Sequence, residues 1–334
     1  VGLEAARPEM TSEVKKLVEA LNAPVLSSYM ASGTVPVDHP NYAGIFTGGA
    51  IEQPCVNEAD LIMLVGLDPV ELIRKPWTYQ APVVDICEAV HQPHYLDPKV
   101  RLCAPLVDSL PALVEGIRSS ASKSEWSSKR ITSHRDRFYK ELEIEAENGL
   151  SASFVVKAAA VAFGGKPRLT VDAGAHMFSA CAFWPSMAPR DILISNGLAT
   201  MGFALPAALA AAIHDPARGA VAMTGDGGLM MCLGELKTVA QMNANICIIV
   251  FNDGCLSLID IKREERQISD LGLSWNRPDF SLIAKGFGFQ SWRPANTIEL
   301  NNACAEAATQ SGPRLIDAQV DPSGYLKQMR ALRG

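Results

Sequence analysis

Two clusters of small and polar residues, each placed directly after an apolar stretch, could carry out chemistry together. The motif GDGG at 225–228 follows the run AVAMT, and the motif FNDG at 251–254 completes the run ICIIVF. Twenty-four residues lie between Gly227 and Asn252, which is room for one helix and one strand. Because ligands of open α/β sheets bind at the carboxyl ends of strands, the two clusters are expected to share one site.

The glycines of the first cluster favour binding of an anion. Glycine lets a backbone approach a ligand closely and present its N–H groups, which suits a phosphate. The helix that is predicted to start after Gly228 would direct its partly positive end at the same place. The residues assigned to this anion site are Gly225, Asp226, Gly227 and Gly228.

The two clusters also offer oxygen ligands for a metal ion. Asp226 would supply a carboxylate oxygen, Asn252 an amide oxygen, and Gly254 a backbone carbonyl. Mg²⁺ prefers such oxygens and usually completes its octahedral shell with phosphates and water. Gly-Asp-Gly alone would also fit an ordinary β-turn, and the second cluster at this distance is what favours the Mg²⁺ site.

A GDG motif followed at this distance by asparagine resembles the signature of thiamine-diphosphate enzymes, and the chain as a whole resembles acetolactate synthase-like large subunits. The signature usually contains two adjacent asparagines, and this chain has Phe251 in place of the first. Asn252 corresponds to the asparagine that ligates the metal. The resemblance therefore implies thiamine diphosphate and Mg²⁺ as cofactors, with Asn252 and Gly254 in both the cofactor and the metal site.

Two further segments carry the same resemblance. ISNGLATMGFALPAALAA at 194–211 looks like the segment that holds the cofactor rings, which implies a supporting apolar side chain at Met201 and a carbonyl for the aminopyrimidine at Ala199. These two residues are assigned to catalysis as well as to cofactor binding. DAGAHMFSA at 172–180 resembles a segment whose Gly-x-His contacts the diphosphate, which implies Gly174 and His176. Periodicity alone would make Met201 a buried helix residue, and a lone histidine is more often structural.

The first part of the chain resembles the middle domain of the same family, at residues 27–44 and 60–77. That domain binds FAD in some members, and no FAD fingerprint is found here, so FAD is left open without support. A complete member has a further, preceding domain whose glutamate hydrogen-bonds the pyrimidine ring. No glutamate of this chain matches it. The resemblance thus implies a pyrimidine-binding domain from upstream sequence or another subunit, and a homo-oligomer, dimer or tetramer.

The elements that must position these residues alternate between helix and strand, which predicts an α/β fold of two doubly wound parallel-sheet domains with helices on both faces. The middle domain is assigned to 1–118, a polar linker with a charged, exposed helix to 119–150, and the diphosphate-binding domain to 151–334. Helices are predicted at EMTSEVKKLVEALN, ATMGFALPAALAAAI and LGELKTVAQMN. The predicted strands are PVLSS, DLIMLVGL, APVVDIC, RLTVD, DILIS, AVAMT, ICIIVF and RLIDAQV.

Composition excludes several classes of function. The 334 residues are 48% hydrophobic and carry a net charge of −6, which argues against a nucleic-acid partner. No apolar stretch is long enough for a membrane span, and no secretory signal is found. The eight cysteines form no CxxC pair and lie mostly in apolar runs, so reduced, buried thiols in a cytoplasmic protein are expected.

The predicted function is that of a thiamine-diphosphate- and Mg²⁺-dependent carboligase or decarboxylase that acts on 2-oxo acids. An apolar residue, Leu258, stands where decarboxylases of the family carry an acid, which mildly favours carboligation; Leu258 could equally be a packed helix residue. The alternatives are a decarboxylase or lyase of the same family and a non-catalytic cofactor-binding subunit or fragment. A nicotinamide-dependent dehydrogenase would need a Gly-x-Gly-x-x-Gly after a strand, which is not found. Because the chain opens at Val1 within an element, a fragment of a longer polypeptide or one piece of a processed protein is expected. Because no glutamate matches the one that activates the pyrimidine ring, this chain alone is expected to be inactive.

Overall fold

The computed structural model describes residues 1–91, 96–120, 124–269 and 272–334. Part of the predicted polar linker, 121–123, therefore lies outside the described residues. The chain divides into two compact units. The first unit contains Val1–Glu141, Ser186–Asp191 and Ala331–Gly334, and the second contains Leu142–Pro185 and Ile192–Arg330.

The first unit is built from short parallel strands and the helices between them. Its strands are β1 (Val25–Ser27), β2 (Tyr42–Ile45), β3 (Ile62–Val65), β4 (Val83–Cys87) and β5 (Val100–Cys103). Its helices are α1 (Thr11–Leu21), α2 (Gln53–Val56), α3 (Leu106–Ser119) and α4 (Ser128–Leu142). Short 3₁₀ turns lie at Leu3–Ala5, Pro8–Met10 and Pro69–Glu71.

The strands of the first unit pair in the orders β1-β2 and β3-β4-β5, and every pair is parallel. The first two residues connect the two sheets through backbone hydrogen bonds. The N–H of Ser28 donates to the carbonyl of Val1, and the N–H of Gly2 donates to the carbonyl of Val65. Helices α1 and α3 cover one face with a cluster that includes Ile86, and a second apolar cluster contains Phe46, Leu64 and Val83.

The second unit holds most of the predicted site. Its strands are β6 (Arg168–Val171), β7 (Ile192–Ile194), β8 (Ala220–Gly225), β9 (Ile246–Asn252), β10 (Gln290–Trp292) and β11 (Pro313–Gln319). Its first helices are α5 (Ala152–Phe163), α6 (His176–Phe183), α7 (Ala204–His214), α8 (Asp226–Met231) and α9 (Glu235–Gln241). They are followed by α10 (Ser257–Glu265), α11 (Phe280–Gly286), α12 (Thr297–Ala308), a 3₁₀ turn at Pro322–Gly324 and α13 (Tyr325–Arg333).

The strand order of the second unit, β10-β11-β9-β8-β6-β7, places a topological switch at β6. All pairs are parallel. From β6 the chain continues to β7 on one side, whereas from β8, the other neighbour of β6, it continues to β9 in the opposite direction. Ligands of open parallel sheets bind at such switch points, outside the carboxyl ends of the strands. The residues that follow β6 and β8 are therefore at the expected place for a ligand.

Both faces of this sheet are covered, which explains why its central strands are apolar throughout. In β9 every residue is buried, and alternate residues such as Ile248 and Val250 join a cluster with α7, α9 and α11. Strand residues buried on both faces are typical of parallel sheets with helices on each side. The predicted α/β class with parallel sheets flanked by helices is confirmed.

Two helix predictions need correction. Helix α4 is not simply exposed, because Ile131, Phe138 and Leu142 are buried along one side of it. The surrounding charged residues hide this apolar stripe in the sequence. The predicted helix ATMGFALPAALAAAI begins only at Ala204, since Gly202 has φ of +73°, a left-handed conformation that a helix does not admit.

In the part of the chain that the structure describes, no helix is long and apolar enough to cross a membrane.

Candidate functional site

The two polar clusters meet because β8 and β9 are neighbours in the sheet. Their register sets Gly225 opposite Phe251. The next residues, Asp226 at the start of α8 and Asn252 at the end of β9, therefore occupy neighbouring positions at the carboxyl edge. Both side chains are buried, with 2% and 0% of their surface exposed.

The amide nitrogen of Asn252 is hydrogen-bonded, and its amide oxygen is not. Its Nδ2 donates to the carbonyl of Pro278 at 2.9 Å and to Oδ1 of Asp317 at 2.8 Å. Its Oδ1 is buried and has no hydrogen-bond partner. Leaving a buried acceptor unpaired costs about 1–3 kcal/mol. A cation at this position would satisfy the oxygen, because Mg²⁺ prefers oxygen ligands.

The carboxylate of Asp226 is held by three donors. Its Oδ1 accepts from the N–H of Gly227 at 2.8 Å, and its Oδ2 accepts from the N–H of Gly254 at 2.9 Å and from Nε1 of Trp275 at 3.1 Å. Burial raises the pKa of Asp226, and these hydrogen bonds act against that rise. The carbonyl of Gly254 in turn accepts from the N–H of Trp275 at 2.8 Å. Thus Asp226 and Gly254, two of the three expected metal ligands, are hydrogen-bonded to each other.

This set of atoms suits a hard cation. One carboxylate, one amide and one carbonyl are all oxygen ligands, and none is a thiol or an imidazole. Within residues 1–91, 96–120, 124–269 and 272–334, no group of three or more His, Cys, Asp or Glu side chains could hold a metal ion. A site at Asp226 and Asn252 would therefore depend on phosphates and water for the rest of its shell.

His176 lies beside the same edge, at the first residue of α6. A Cβ on Gly174 would lie 2.6 Å from Cε1 of His176, and one on Gly225 would lie 3.5 Å from it, so the ring rests over two glycines. Burial lowers the pKa of His176 to about 4, which makes the ring neutral at pH 7. Its Nε2 is buried without a partner. The ring of Phe251 stacks on it, with centroids 5.0 Å apart.

The glycines of the first cluster are needed for close packing. Helix α8 begins at Asp226 and not after Gly228, so two of these glycines lie in its first turn. A Cβ on Gly228 would lie 2.2 Å from Oδ2 of Asp172, and one on Gly227 would lie 2.7 Å from Cδ2 of Leu256. Real side-chain atoms do not approach so closely, and glycine is therefore the residue that fits.

The segment before α7 forms a turn that passes over the same helix. Ala199 is exposed and has φ of +49°, an unusual conformation for a residue with a side chain. Met201 is partly buried, and a Cβ on Gly227 would lie 3.4 Å from its Cε. Met201 thus lies at the edge that carries the GDGG motif, and Ala199 lies two residues before it in the same turn.

Asp172 is a residue of this region that the sequence reading did not single out. It is 1% exposed, and its carboxylate accepts from the N–H of Ala204 at 2.6 Å, the N–H of Gly202 at 3.0 Å and Oγ1 of Thr224 at 2.6 Å. It therefore ties the turn before α7 to the end of β8. An acidic residue directly after an apolar strand and before Gly-x-His was the available signal.

Comparison with protein families agrees with this geometry. The family described as thiamine pyrophosphate enzyme, C-terminal TPP binding domain, matches residues 172–318. The family described as thiamine pyrophosphate enzyme, central domain, matches residues 1–110. The two matches together cover most of the chain and include every residue assigned to the site.

The chain is also similar to curated proteins over nearly its whole length. It is 26% identical to the acetolactate synthase of Bacillus subtilis (strain 168) over 97% of this chain and 58% of the relative. It is 25% identical to a probable acetolactate synthase large subunit of Methanococcus aeolicus over 95% of this chain and 57% of the relative. With the acetolactate synthase isozyme 1 large subunit of Escherichia coli (strain K12), identity is 27% over 93% of this chain and 56% of the relative.

The chain thus spans little more than half the length of the curated relatives that it matches. What it shares with them is the region of the two matched families. The chain belongs to the thiamine pyrophosphate enzymes, of which it contains the central domain and the C-terminal TPP-binding domain.

Proposed function

We propose that this chain is the cofactor-binding portion of a thiamine-diphosphate- and Mg²⁺-dependent carboligase that acts on 2-oxo acids. The observation that carries the proposal is the position of Asn252, which lies next to Asp226 at the carboxyl edge of the sheet and has a buried Oδ1 without a hydrogen-bond partner. Relatives named acetolactate synthase support the substrate class. The metal would be held by Asp226, Asn252 and the carbonyl of Gly254.

The other assigned residues would hold the organic cofactor. The diphosphate would lie against Gly174, His176 and the GDGG motif, where glycines leave room for it. The rings would be supported by Met201 and by the carbonyl of Ala199. Once bound, thiamine diphosphate supplies an electron sink for cleaving the bond next to a 2-oxo group. The neutral His176 ring would orient the diphosphate end, and the carboxylate of Asp226 would act on it through the metal ion.

The acid that tunes the pyrimidine ring is expected from a pyrimidine-binding domain, either upstream or on another subunit. Exposed apolar side chains near the site support such a partner. Leu198 is 86% exposed, and Met230 and Met231 on α8 are also exposed. Exposed apolar groups of this kind mark interaction surfaces. A homo-oligomer, dimer or tetramer, is part of the proposal, as is inactivity of this chain alone.

A decarboxylase or lyase of the same family is the second candidate. Leu258 lies in α10 and is partly buried, so it supplies no acid for protonating a product at that position. That favours carboligation over aldehyde release. A non-catalytic cofactor-binding subunit is the remaining alternative, and the experiment below separates it from the first two.

The domain boundaries, the cellular location and the question of FAD belong to the same proposal. The middle domain is assigned to 1–118, the linker and helix to 119–150, and the diphosphate-binding domain to 151–334. A cytoplasmic location is proposed from the cysteine content. FAD binding by the middle domain is left open, without support.

The test is to supply the purified chain with thiamine diphosphate, Mg²⁺ and pyruvate and to measure CO₂ and the ligated product. The chain alone is expected to be inactive, and addition of a pyrimidine-binding domain from a relative is expected to give turnover. Activity of the lone chain at the reconstituted rate would refute the missing-acid account. Cofactor binding without any turnover, with several 2-oxo acids, would favour the non-catalytic subunit.

Binding itself is tested by calorimetry with Asp226→Asn and a matched control, Asp279→Asn. Each variant removes one carboxylate charge, but Asp279 caps α11 and does not contact the site. Asp226→Asn is expected to lose Mg²⁺-dependent affinity for thiamine diphosphate, and the control is expected to keep it. Equal affinities in both variants would count against the metal assignment.

A further inference from the structure

The orientation of the Asn252 amide is decided by its neighbours. Both hydrogens of Nδ2 point at groups that can only accept, the carbonyl of Pro278 and the carboxylate of Asp317. A carbonyl and an ionised carboxylate have lone pairs and no hydrogen to give. The oxygen of the planar amide is therefore directed to the opposite side, where it is buried and unpaired.

Asp317 lies in β11, beside β9, and is completely buried. The polar groups that contact its side chain are all hydrogen-bond donors. Besides Asn252, it receives hydrogen bonds from Nε2 of Gln319 at 3.1 Å and from the N–H of Phe280 at 3.1 Å. The guanidinium of Arg293 lies 3.4 Å from its Oδ2. Each of these groups donates, so the carboxyl oxygens of Asp317 act as acceptors towards all of them.

We propose that Asp317 is a positioning residue for the metal site, which forces Asn252 to present its oxygen, and not its NH₂ group, towards the cation. This inference rests on the proposed function in that it assumes a cation beside Asp226. If the amide turned over, Oδ1 would meet the lone pairs of Asp317 and Pro278, and two hydrogen bonds would be lost. The NH₂ group would then face a positive ion, which it cannot ligate.

The substitution Asp317→Asn should weaken this preference without removing bulk. Phe280 and Arg293 donate from fixed N–H groups and would keep the new amide oxygen on their side. The new NH₂ group would then face the NH₂ group of Asn252. If Asn252 keeps its orientation, two donors meet; if it turns, its oxygen meets the carbonyl of Pro278 and its NH₂ group faces the cation site. In both cases the oxygen of Asn252 is held less firmly towards the cation.

A compensating change should restore the site. In the double variant Asn252→Asp with Asp317→Asn, the new carboxylate accepts from the new amide through one oxygen and keeps the other for the metal, while the carbonyl of Pro278 loses its donor. Asn252→Asp alone places two carboxylates where Nδ2 and Oδ1 are now 2.8 Å apart, and is expected to lower stability. Asp279→Asn is the matched control, because Asp279 also contacts Arg293 but not Asn252.

The experiment measures Mg²⁺-dependent binding of thiamine diphosphate to the full chain by calorimetry, with thermal unfolding of each variant. Asp317→Asn is expected to weaken binding about 10- to 100-fold, as substitutions behind metal ligands do. The double variant is expected to recover part of that loss, and the control to bind as the unmodified chain does. Unchanged affinity in Asp317→Asn, or a double variant that binds no more tightly, would overturn the proposal.

A second readout does not need the cofactor. The side-chain NH₂ signals of Asn252, identified by their loss in Asn252→Asp, should exchange slowly in the unmodified chain because both hydrogens are bonded and buried. In Asp317→Asn they should shift and exchange faster, while Asp279→Asn leaves them unchanged. Identical signals in Asp317→Asn would refute the positioning role. A chain that shows the expected NMR change but turns over no 2-oxo acid even with a pyrimidine-binding domain supplied would refute the proposed activity and leave this inference standing.

Discussion

The indole Nε1 of Trp275 donates a hydrogen bond to Oδ2 of Asp226 at 3.1 Å, directly at the edge where the two polar clusters meet. The backbone of the same residue donates to the carbonyl of Gly254. One tryptophan thus contacts two of the three groups proposed as metal ligands. Because Oδ2 of Asp226 already accepts from both Gly254 and Trp275, a metal ion bound through this oxygen would compete with one of the two donors.

Tryptophan fluorescence should report that competition. Adding Mg²⁺ and thiamine diphosphate is expected to change the emission of Trp275, because a cation bound to Asp226 either displaces the indole or changes the charge beside it. The change should disappear in Trp275→Phe. Trp292→Phe is the matched control, because Trp292 also donates to a carboxylate, that of Glu306 at 2.7 Å, away from the site. A fluorescence change that survives in Trp275→Phe would contradict the assignment.

Gly228 is expected to tolerate no side chain. A Cβ there would lie 2.2 Å from Oδ2 of Asp172, so Gly228→Ala should lower the free energy of unfolding by about 1–3 kcal/mol through overcrowding. Gly234→Ala is the control, since a Cβ on Gly234 meets nothing within 4 Å. Chemical denaturation of both variants gives the comparison. Equal stabilities would show that the approach of Asp172 to α8 is not a constraint.

Asp172→Asn should loosen the turn before α7. Asparagine has one acceptor oxygen, so its NH₂ group must face either the N–H of Ala204 or that of Gly202. An unpaired buried donor costs about 1–3 kcal/mol, which should appear as lost unfolding free energy and faster amide exchange at these two residues. Thr224→Val removes only the hydroxyl donor and should cost less. A larger effect of Thr224→Val would rule out the proposed role of Asp172.

The pH dependence of stability should reveal Glu52 in the first unit. Burial raises the pKa of its carboxyl, so the folded chain holds the proton more tightly than the unfolded chain. Its contribution to stability is then present below the unfolded pKa of about 4.3 and is lost as the pH rises through the folded pKa. The free energy of unfolding of the unmodified chain is therefore expected to fall relative to that of Glu52→Gln between pH 4 and pH 7.

Glu88 provides a control of opposite sign. The hydrogen bond from Arg7 lowers its pKa, so its contribution is present above the unfolded pKa and is lost as the pH falls. The free energy of unfolding of the unmodified chain should therefore rise relative to that of Glu88→Gln as the pH rises. Urea unfolding at several pH values measures both series. Slopes of the same sign in the two series would contradict the assigned pKa directions.

Most of the fold was accessible to prediction because apolar runs in covered parallel sheets are easy to recognise. The predicted strand AVAMT is β8 without its last residue, and ICIIVF is β9 without Asn252. The strands that were not predicted lack that signal. All residues of β5 are exposed, β10 is only three residues long, and β2 contains Gly44. Helix α4 was read as exposed because its few apolar residues lie among many charges.

Residue types and their distance along the chain suffice to predict that Asp226 and Asn252 share an edge, and thus which chemical groups stand at the strand ends. They do not decide which atoms of those groups are free. That depends on Trp275 and on Asp317, which is 65 residues beyond Asn252. Only the folded chain brings such distant donors and acceptors within hydrogen-bond range, and it thereby decides that the oxygen of Asn252 is left unpaired.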